Sequence, residues 1–457
     1  MDVDRAVALA DAERERALED LVTLVAIPSV SADPARRGDV RAAAEWIAGR
    51  LTGLGLEASI VTGNTHPTVV GEWLGAPGAP TLALYSHYDV QPVDPLSAWE
   101  GQPFDAQVRG EFIHGRGVRD DKGQLVAVLR AIEYAMRTGA PPVNLRVFFE
   151  GEEEITGTSL GELLRANAEQ WRVDCALIVD GEFAAPGWPT IVAGLRGVLS
   201  VQIDVAGVGI DRHSGLYGGV APNALVSLTR ILAGLKGTDG RVTVPSFYDD
   251  VRPLDPEEVV RWRGLPITEA SLLEELGSPA LEGEADHTPL ERIWARPTFD
   301  LHGIVGGHMG EGLKTVIPAR ARATCSFRLV PDQDPGRILG SLEAHVQGLA
   351  GPAVSARVHE LGACRPARFD TVNAGVLATS RALEQTFGRP TLLGRLGGSI
   401  PVSADFQESI TPNVVIVGFG LPGDGGHSPM ERFSLSQFHG ATRAILRVMH
   451  ELAVVGA

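Results

Sequence analysis

Four apolar runs in this sequence each end in side chains able to hold a cation. TLALYSHYD reaches His87 and Asp89, VNLRVFFEGEEE reaches Glu152, Glu153 and Glu154, CALIVDGE reaches Asp180, and NVVIVGFG leads into LPGDGGHS and His427. If such runs are buried strands of an open α/β sheet, groups just beyond their carboxyl ends collect in one crevice. Asp120 joins them: it closes the glycine-containing loop GRGVRD and directly precedes a helical pattern, so its carboxylate belongs at a helix N-terminus on the same edge. Two imidazoles and three carboxylates suit zinc or manganese, whereas magnesium favours an all-oxygen set. Three carboxylates and a hydroxide would neutralise a pair of divalent ions, which leaves an additional glutamate, Glu153, free to take a proton. Water on such an ion has its pKa lowered from about 15.7 to about 7, which makes a nucleophile at neutral pH.

Each feature also has an ordinary reading. An HxD triplet such as His87 to Asp89 is usually a loop histidine with its needs met, and the Glu150 to Glu154 cluster would by itself be a solvated acidic face. Its place directly after VFF weakens that reading. GDGGHS alone is a glycine-rich turn with a surface histidine, GRGVRDDKG a turn feeding a helix cap, and Asp180 a generic strand-end aspartate. The joint pattern carries the argument.

The elements that must position these groups follow from periodicity. Helical spacing covers 5 to 26, ending before Pro28, and 41 to 54; then apolar runs at 81 to 86, 143 to 150 and 175 to 180 alternate with a helix at about 122 to 137. That alternation predicts an α/β catalytic domain with a mostly parallel central sheet flanked by helices. The pattern returns with 413 to 420 and a final helix at about 437 to 453. Between them, 197 to 208 and 321 to 330 alternate in the manner of antiparallel strands around a helix at about 222 to 236. The expected organisation is a catalytic domain of 1–195 and 371–457 interrupted by an inserted α+β domain with an antiparallel sheet at 196–370. A chain of 457 residues exceeds what one core usually serves.

Composition narrows the partners. With 44% hydrophobic and 21% charged residues the chain is an ordinary globular protein, and a formal net charge of -17 argues against nucleic acid and anionic membranes as partners. The first thirty residues mix acids, bases and alanines where a secretory signal needs an apolar run, and no stretch is long enough to span a membrane. Cys175, Cys325 and Cys364 are widely spaced and suggest neither disulfides nor a zinc ribbon, so the expected location is the cytoplasm.

The blocks SHYDVQP, GRGVRDDKG, FEGEEEI, DRHSGLYGG, GLKTVIP, SFRLVP, GGSIPV and GDGGHSPME, in this order across nearly the whole chain, resemble the dinuclear zinc peptidase family of cytosolic nonspecific dipeptidase, carnosinase, glutamate carboxypeptidase and acetylornithine deacetylase. HYDVQP, KTVIP, RLVP and GGSIPV resemble the dipeptidase branch most. The resemblance implies that Asp120 bridges two divalent ions, with His87 and Asp180 on one and Glu154 and His427 on the other. It implies that Asp89 orients His87, and that Glu153 deprotonates the water between the ions and passes the proton to the leaving amine. His213 would reach the partner subunit's active site and steady the oxyanion, which implies a homodimer built through the inserted domain as lid and dimerisation unit. Arg328 would grip the substrate's terminal carboxylate, and Thr315, Gly398 and Ser399 would line the pocket.

The expected activity is hydrolysis of an amide bond in dipeptides or similar small substrates, with zinc ahead of manganese. One alternative is deacylation of N-acyl or N-carbamoyl amino acids. Another is a scaffold that binds metal or peptide without turnover, which would be expected if Glu153 or a ligand were missing, and none is. Three departures from the family pattern stand out. EEEITGTS carries one residue more than the usual EEEIGS, Met430 stands where asparagine is common, and 240 to 300 matches no motif.

Overall fold

The computed structural model describes residues 1–456. They divide into two compact units, one of residues 1–193, 369–394 and those from 400 on, the other of 194–368 and 395–399.

The first unit is built on a sheet in the order Glu57–Val61, Thr68–Trp73, Asn144–Glu150, Thr81–His87, Cys175–Val179, Val414–Val417, Thr190–Leu195. Its four central strands run parallel, and the outer strands antiparallel. Buried on both sides, these central strands need apolar residues at successive positions, which is why they read as unbroken runs. Tyr85 and Phe148 meet Phe406 of the helix Val402–Ser409, while Leu84, Val147 and Phe149 face the main core. That core includes the helix Lys122–Arg137, buried from Lys122 through Ala135, as an interior helix must be. The helix Leu435–Val455 also contributes to it.

The expected helix over 5 to 26 is two helices, Val3–Ala12 and Arg14–Val25, broken at Glu13, whose φ of -107° and ψ of 30° leave the helical region. The second stops short of Pro28. Lys122, itself fully buried, donates to the carbonyls of Leu24 at 3.1 Å and Ile27 at 2.6 Å, supplying donors that the end of this helix lacks.

In the second unit an antiparallel sheet runs in the order Thr298–Gly306, Arg320–Leu329, Gly197–Ala206, Ser355–Cys364. Leu199, Val201, Ile203 and Val205 turn inward at alternate positions and pack with the helices Ala224–Ala233 and Pro335–Ala350. The stretch without a motif holds three short helices, Pro256–Arg263, Glu269–Leu276 and Pro289–Ala295. Its Glu258 forms a buried ion pair with Arg395 at 2.6 Å. Among the described residues no helix is long and apolar enough to cross a membrane.

Candidate metal centre

His87 is the last residue of its strand and Asp180 lies one past the end of Cys175–Val179. Glu153 and Glu154 sit on a single turn, Glu153–Ile155, just after Asn144–Glu150. Asp120 precedes the helix Lys122–Arg137, and His427 lies in the loop after Val414–Val417. Two glycines let these segments close up. A Cβ at Gly418 would run into the carbonyl carbon of Gly181, next to Asp180, and one at Gly123 would strike the Val118 carbonyl.

The five proposed ligands come together in two groups that share one member. His87, Asp120 and Asp180 form one, and Asp120, Glu154 and His427 the other; in each, ligand atoms lie within 4.8 Å of one another. Asp120 Oδ1 is 3.1 Å from His87 Nε2, whereas Oδ2 is 3.1 Å from His427 Nε2, which also lies 3.1 Å from Glu154 Oε2. One carboxylate thus turns its two oxygens toward two different imidazoles.

Charge supports the same reading. Asp120, Glu153, Glu154 and Asp180 crowd together away from water, and burial first, then neighbouring carboxylates, push the pKa of Glu153 well above its usual value and raise those of Glu154 and Asp180. Hydrogen bonds donated by the His427 imidazole to the carboxylates of Asp120 and Glu154 hold its pKa up at about 11. At His87, burial lowers the pKa, but Asp120 and Asp89 more than offset it and leave it well above the ordinary value. A site that draws protons onto its histidines this strongly is electron-rich, and its mixed nitrogen and oxygen donors around a shared carboxylate fit two divalent cations.

Asp89 touches both the His87 ring and the acidic turn. The Nδ1 of His87 lies 3.0 Å from the main-chain oxygen of Asp89 and 3.5 Å from its carboxylate, so the backbone makes the closer contact with the ring. The carboxylate also accepts from the amides of Glu153 at 3.2 Å and Glu154 at 3.1 Å, and thereby fixes the backbone of the expected base and of an expected ligand. In EEEITGTS, Thr156 adopts left-handed backbone at φ 52° before the helix Ser159–Ala166 begins. Met430 and His427 are also left-handed, at φ 65° and 62°, and Met430 Sδ accepts from the Glu100 amide at 3.0 Å.

Sequence reasoning missed Gln91, whose Nε2 donates to Glu154 Oε2 at 2.8 Å; its place in HYDVQP was the available signal. It also missed Glu431, wholly buried and bonded to the amide of Asp120.

The other expected site residues belong to the second unit. Arg328 Nη1 donates to Ser399 Oγ at 3.2 Å, and that hydroxyl donates to the Arg196 carbonyl at 2.5 Å, with Gly398 next in the chain. His213 is exposed on the short strand Arg212–His213, paired with Val316–Ile317, and its Nδ1 accepts from the Gly215 amide at 2.9 Å. The carbonyl of Thr315 accepts from Ser214, directly after His213.

Residues 83–451 match the peptidase family M20/M25/M40. The chain is 31% identical to the Cys-Gly metallodipeptidase dug1 of Schizosaccharomyces pombe, over all of this chain and 99% of that protein. Its structure is similar to that of human carnosine dipeptidase 1, with a TM-score of 0.88 at 26% identity over 99% of both chains. It is also similar to the M20 family metallo-carboxypeptidase Sso-CP2 of Sulfolobus solfataricus, with a TM-score of 0.87 at 29% identity over 96% of this chain and 99% of that one.

Proposed function

This chain belongs to peptidase family M20/M25/M40 and is a metallopeptidase; we propose that it uses two divalent ions, zinc before manganese, to hydrolyse dipeptides that end in a free carboxylate. The observation that carries this reading is Asp120, shared between two histidine and carboxylate groups. Similarity to proteins named for dipeptides and for carboxypeptidase action supports a substrate with an unblocked carboxyl end.

In this reading His87, Asp120 and Asp180 would hold one ion and Asp120, Glu154 and His427 the other. Bound there, the ions supply Lewis acidity and bring the pKa of a water from about 15.7 to about 7. A carboxylate oxygen of Glu153 would take a proton from the water that attacks the scissile carbonyl and return it to the amide nitrogen as the carbon–nitrogen bond breaks. Asp89 holds Glu153 still through its amide. Arg328, steadied by Ser399, would offer its planar donors to a substrate carboxylate, with Thr315 and Gly398 as further candidate substrate contacts.

His213 accepts at Nδ1, so its ring carries the proton at Nε2 and donates there to the developing oxyanion. It does so in a partner subunit. Around it the apolar side chains of Leu216, Val220 and Leu313 are exposed by 76%, 87% and 93%, a surface suited to a second copy of the chain. We place the enzyme in the cytoplasm, whose reducing conditions suit cysteines that form no disulfide among the described residues.

Purified protein should cleave members of a dipeptide panel with added zinc or manganese, act less on N-acetyl and N-carbamoyl amino acids, and stop with chelator. Activity retained after metal removal, verified by elemental analysis, overturns the proposal. Mixing His213→Ala with Glu153→Ala subunits should restore activity; none, despite proven subunit exchange, refutes the shared site.

A further inference from the structure

Glu431 follows His427 by four positions and has no surface exposed. Its Oε2 accepts from Arg116 Nη1 at 2.6 Å and the Gly117 amide at 3.0 Å, while Oε1 accepts from the amides of Arg119 at 2.9 Å and Asp120 at 3.0 Å. The main-chain oxygen of Glu431 accepts from the Gly115 amide at 3.0 Å. On the far side of the ion pair, Arg116 Nη2 donates to the carbonyls of Pro92 at 3.2 Å and Ser428 at 3.3 Å.

Three loops therefore meet at one buried pair: the one that leaves His87, the one that delivers Asp120, and the one that contains His427. The amides of Gly117, Arg119 and Asp120 all turn toward a single interior point, a concavity that needs an anion at its centre. Glu431 is that anion. The bond to the Asp120 amide fixes the backbone from which the shared carboxylate projects, and the bond from Arg116 to the Ser428 carbonyl ties down the residue next to His427. Because Arg116 neutralises Glu431, the pair adds no net charge to the centre, and its effect there is geometric.

We propose that Glu431, braced by Arg116, is a positioning residue of the metal centre, holding Asp120 and His427 at the spacing that lets one carboxylate face both histidines. This rests on the metallopeptidase reading above. A pair serving stability alone would lower the melting temperature and leave ion binding untouched. A pair that sets ligand spacing weakens ion binding even where the protein stays folded, and loss of such outer partners typically costs about 10- to 100-fold in metal affinity.

The test uses full-length protein stripped of metal and titrated with Co2+ against a chromophoric chelator, with visible absorption of the bound ion recorded alongside. Glu431→Gln should remain folded by circular dichroism, bind at least one Co2+ about 10- to 100-fold more weakly, and show altered visible bands. Its kcat should fall more than its KM changes. Arg116→Lys, which keeps the charge but loses the fork to Pro92 and Ser428, should shift affinity in the same direction by less. As a control, Glu258→Gln breaks a buried ion pair in the second unit and should lower the melting temperature with wild-type Co2+ affinity. Wild-type affinity and bands in both Glu431→Gln and Arg116→Lys overturn the proposal; if Glu431→Gln does not fold, Arg116→Lys alone decides. Wild-type protein that binds no Co2+ would defeat the metallopeptidase reading instead.

Discussion

Replacing Asp89 by asparagine separates two tasks that lie on one residue. Its two carboxylate oxygens each accept one amide, from Glu153 at 3.2 Å and from Glu154 at 3.1 Å, and the side chain has no exposed surface. Asparagine offers one acceptor, so whichever way the amide turns, one of these N–H groups faces another donor. An N–H group left without a partner in the interior costs about 1–3 kcal/mol. The surviving bond loses its charge assistance, which is worth about 1 kcal/mol more. A total of about 2–4 kcal/mol corresponds to a melting temperature lower by roughly 4–16 °C for a unit of this size. Calorimetry on chelator-treated protein reads that loss without contribution from bound ions. Because the freed amides belong to the base and to one ligand, kcat and the affinity of the ion at Glu154 should fall, the latter about 10- to 100-fold. An unchanged melting temperature would refute the hydrogen-bond accounting. Loss of affinity confined to the ion at His87 would show that the carboxylate serves the imidazole after all.

Glu153→Gln should keep full metal stoichiometry by elemental analysis while kcat drops about 10²- to 10⁴-fold, and loss of an ion would make Glu153 a ligand instead of a base. Met430→Asn should raise the urea midpoint by the equivalent of about 1 kcal/mol, since asparagine tolerates the left-handed backbone at φ 65°. A lower midpoint would mean that the bond from the Glu100 amide to Met430 Sδ outweighs that strain. At His439, burial and then Arg14 and Arg443 pull the pKa from 6.5 down to about 4, with Asp11 opposing. The unfolded chain therefore takes up the proton first, so stability is complete above pH 6.5 and declines as pH falls toward about 4. Urea midpoints at pH 7 and pH 5 should differ less in His439→Gln than in wild type; an equal difference would remove His439 as the source.

What could be read from the sequence was what depends on neighbours in the chain. His87 and Asp180 stand at the ends of apolar runs, and a run buried on both faces of a parallel sheet has no alternative but to look apolar throughout. Alternation in GVLSVQIDVAGV identified a strand with one face inward for the same reason, seen in its inward Leu199, Val201, Ile203 and Val205. Roles set by backbone detail were harder to see. HYD places a carboxylate near an imidazole, yet whether the ring meets that carboxylate or the main-chain oxygen depends on a difference of half an ångström. Glu431 in HSPME looks like a surface residue, because its partner Arg116 lies 315 positions away. Periodicity likewise ran straight through Glu13, where the helix breaks.

The strand Val414–Val417 occupies the slot between Cys175–Val179 and Thr190–Leu195, although it is made long after either of them. The hydrogen bonds that join those two earlier strands to it are thus made by a segment that follows the whole second unit in the chain. The expected ligands His87, Asp120, Glu154 and Asp180 all precede this strand in the chain, and His427 follows it, so the five come together only once the last strand is seated. Damage confined to the segment from Val414 on therefore reaches the middle of the sheet and the metal centre alike.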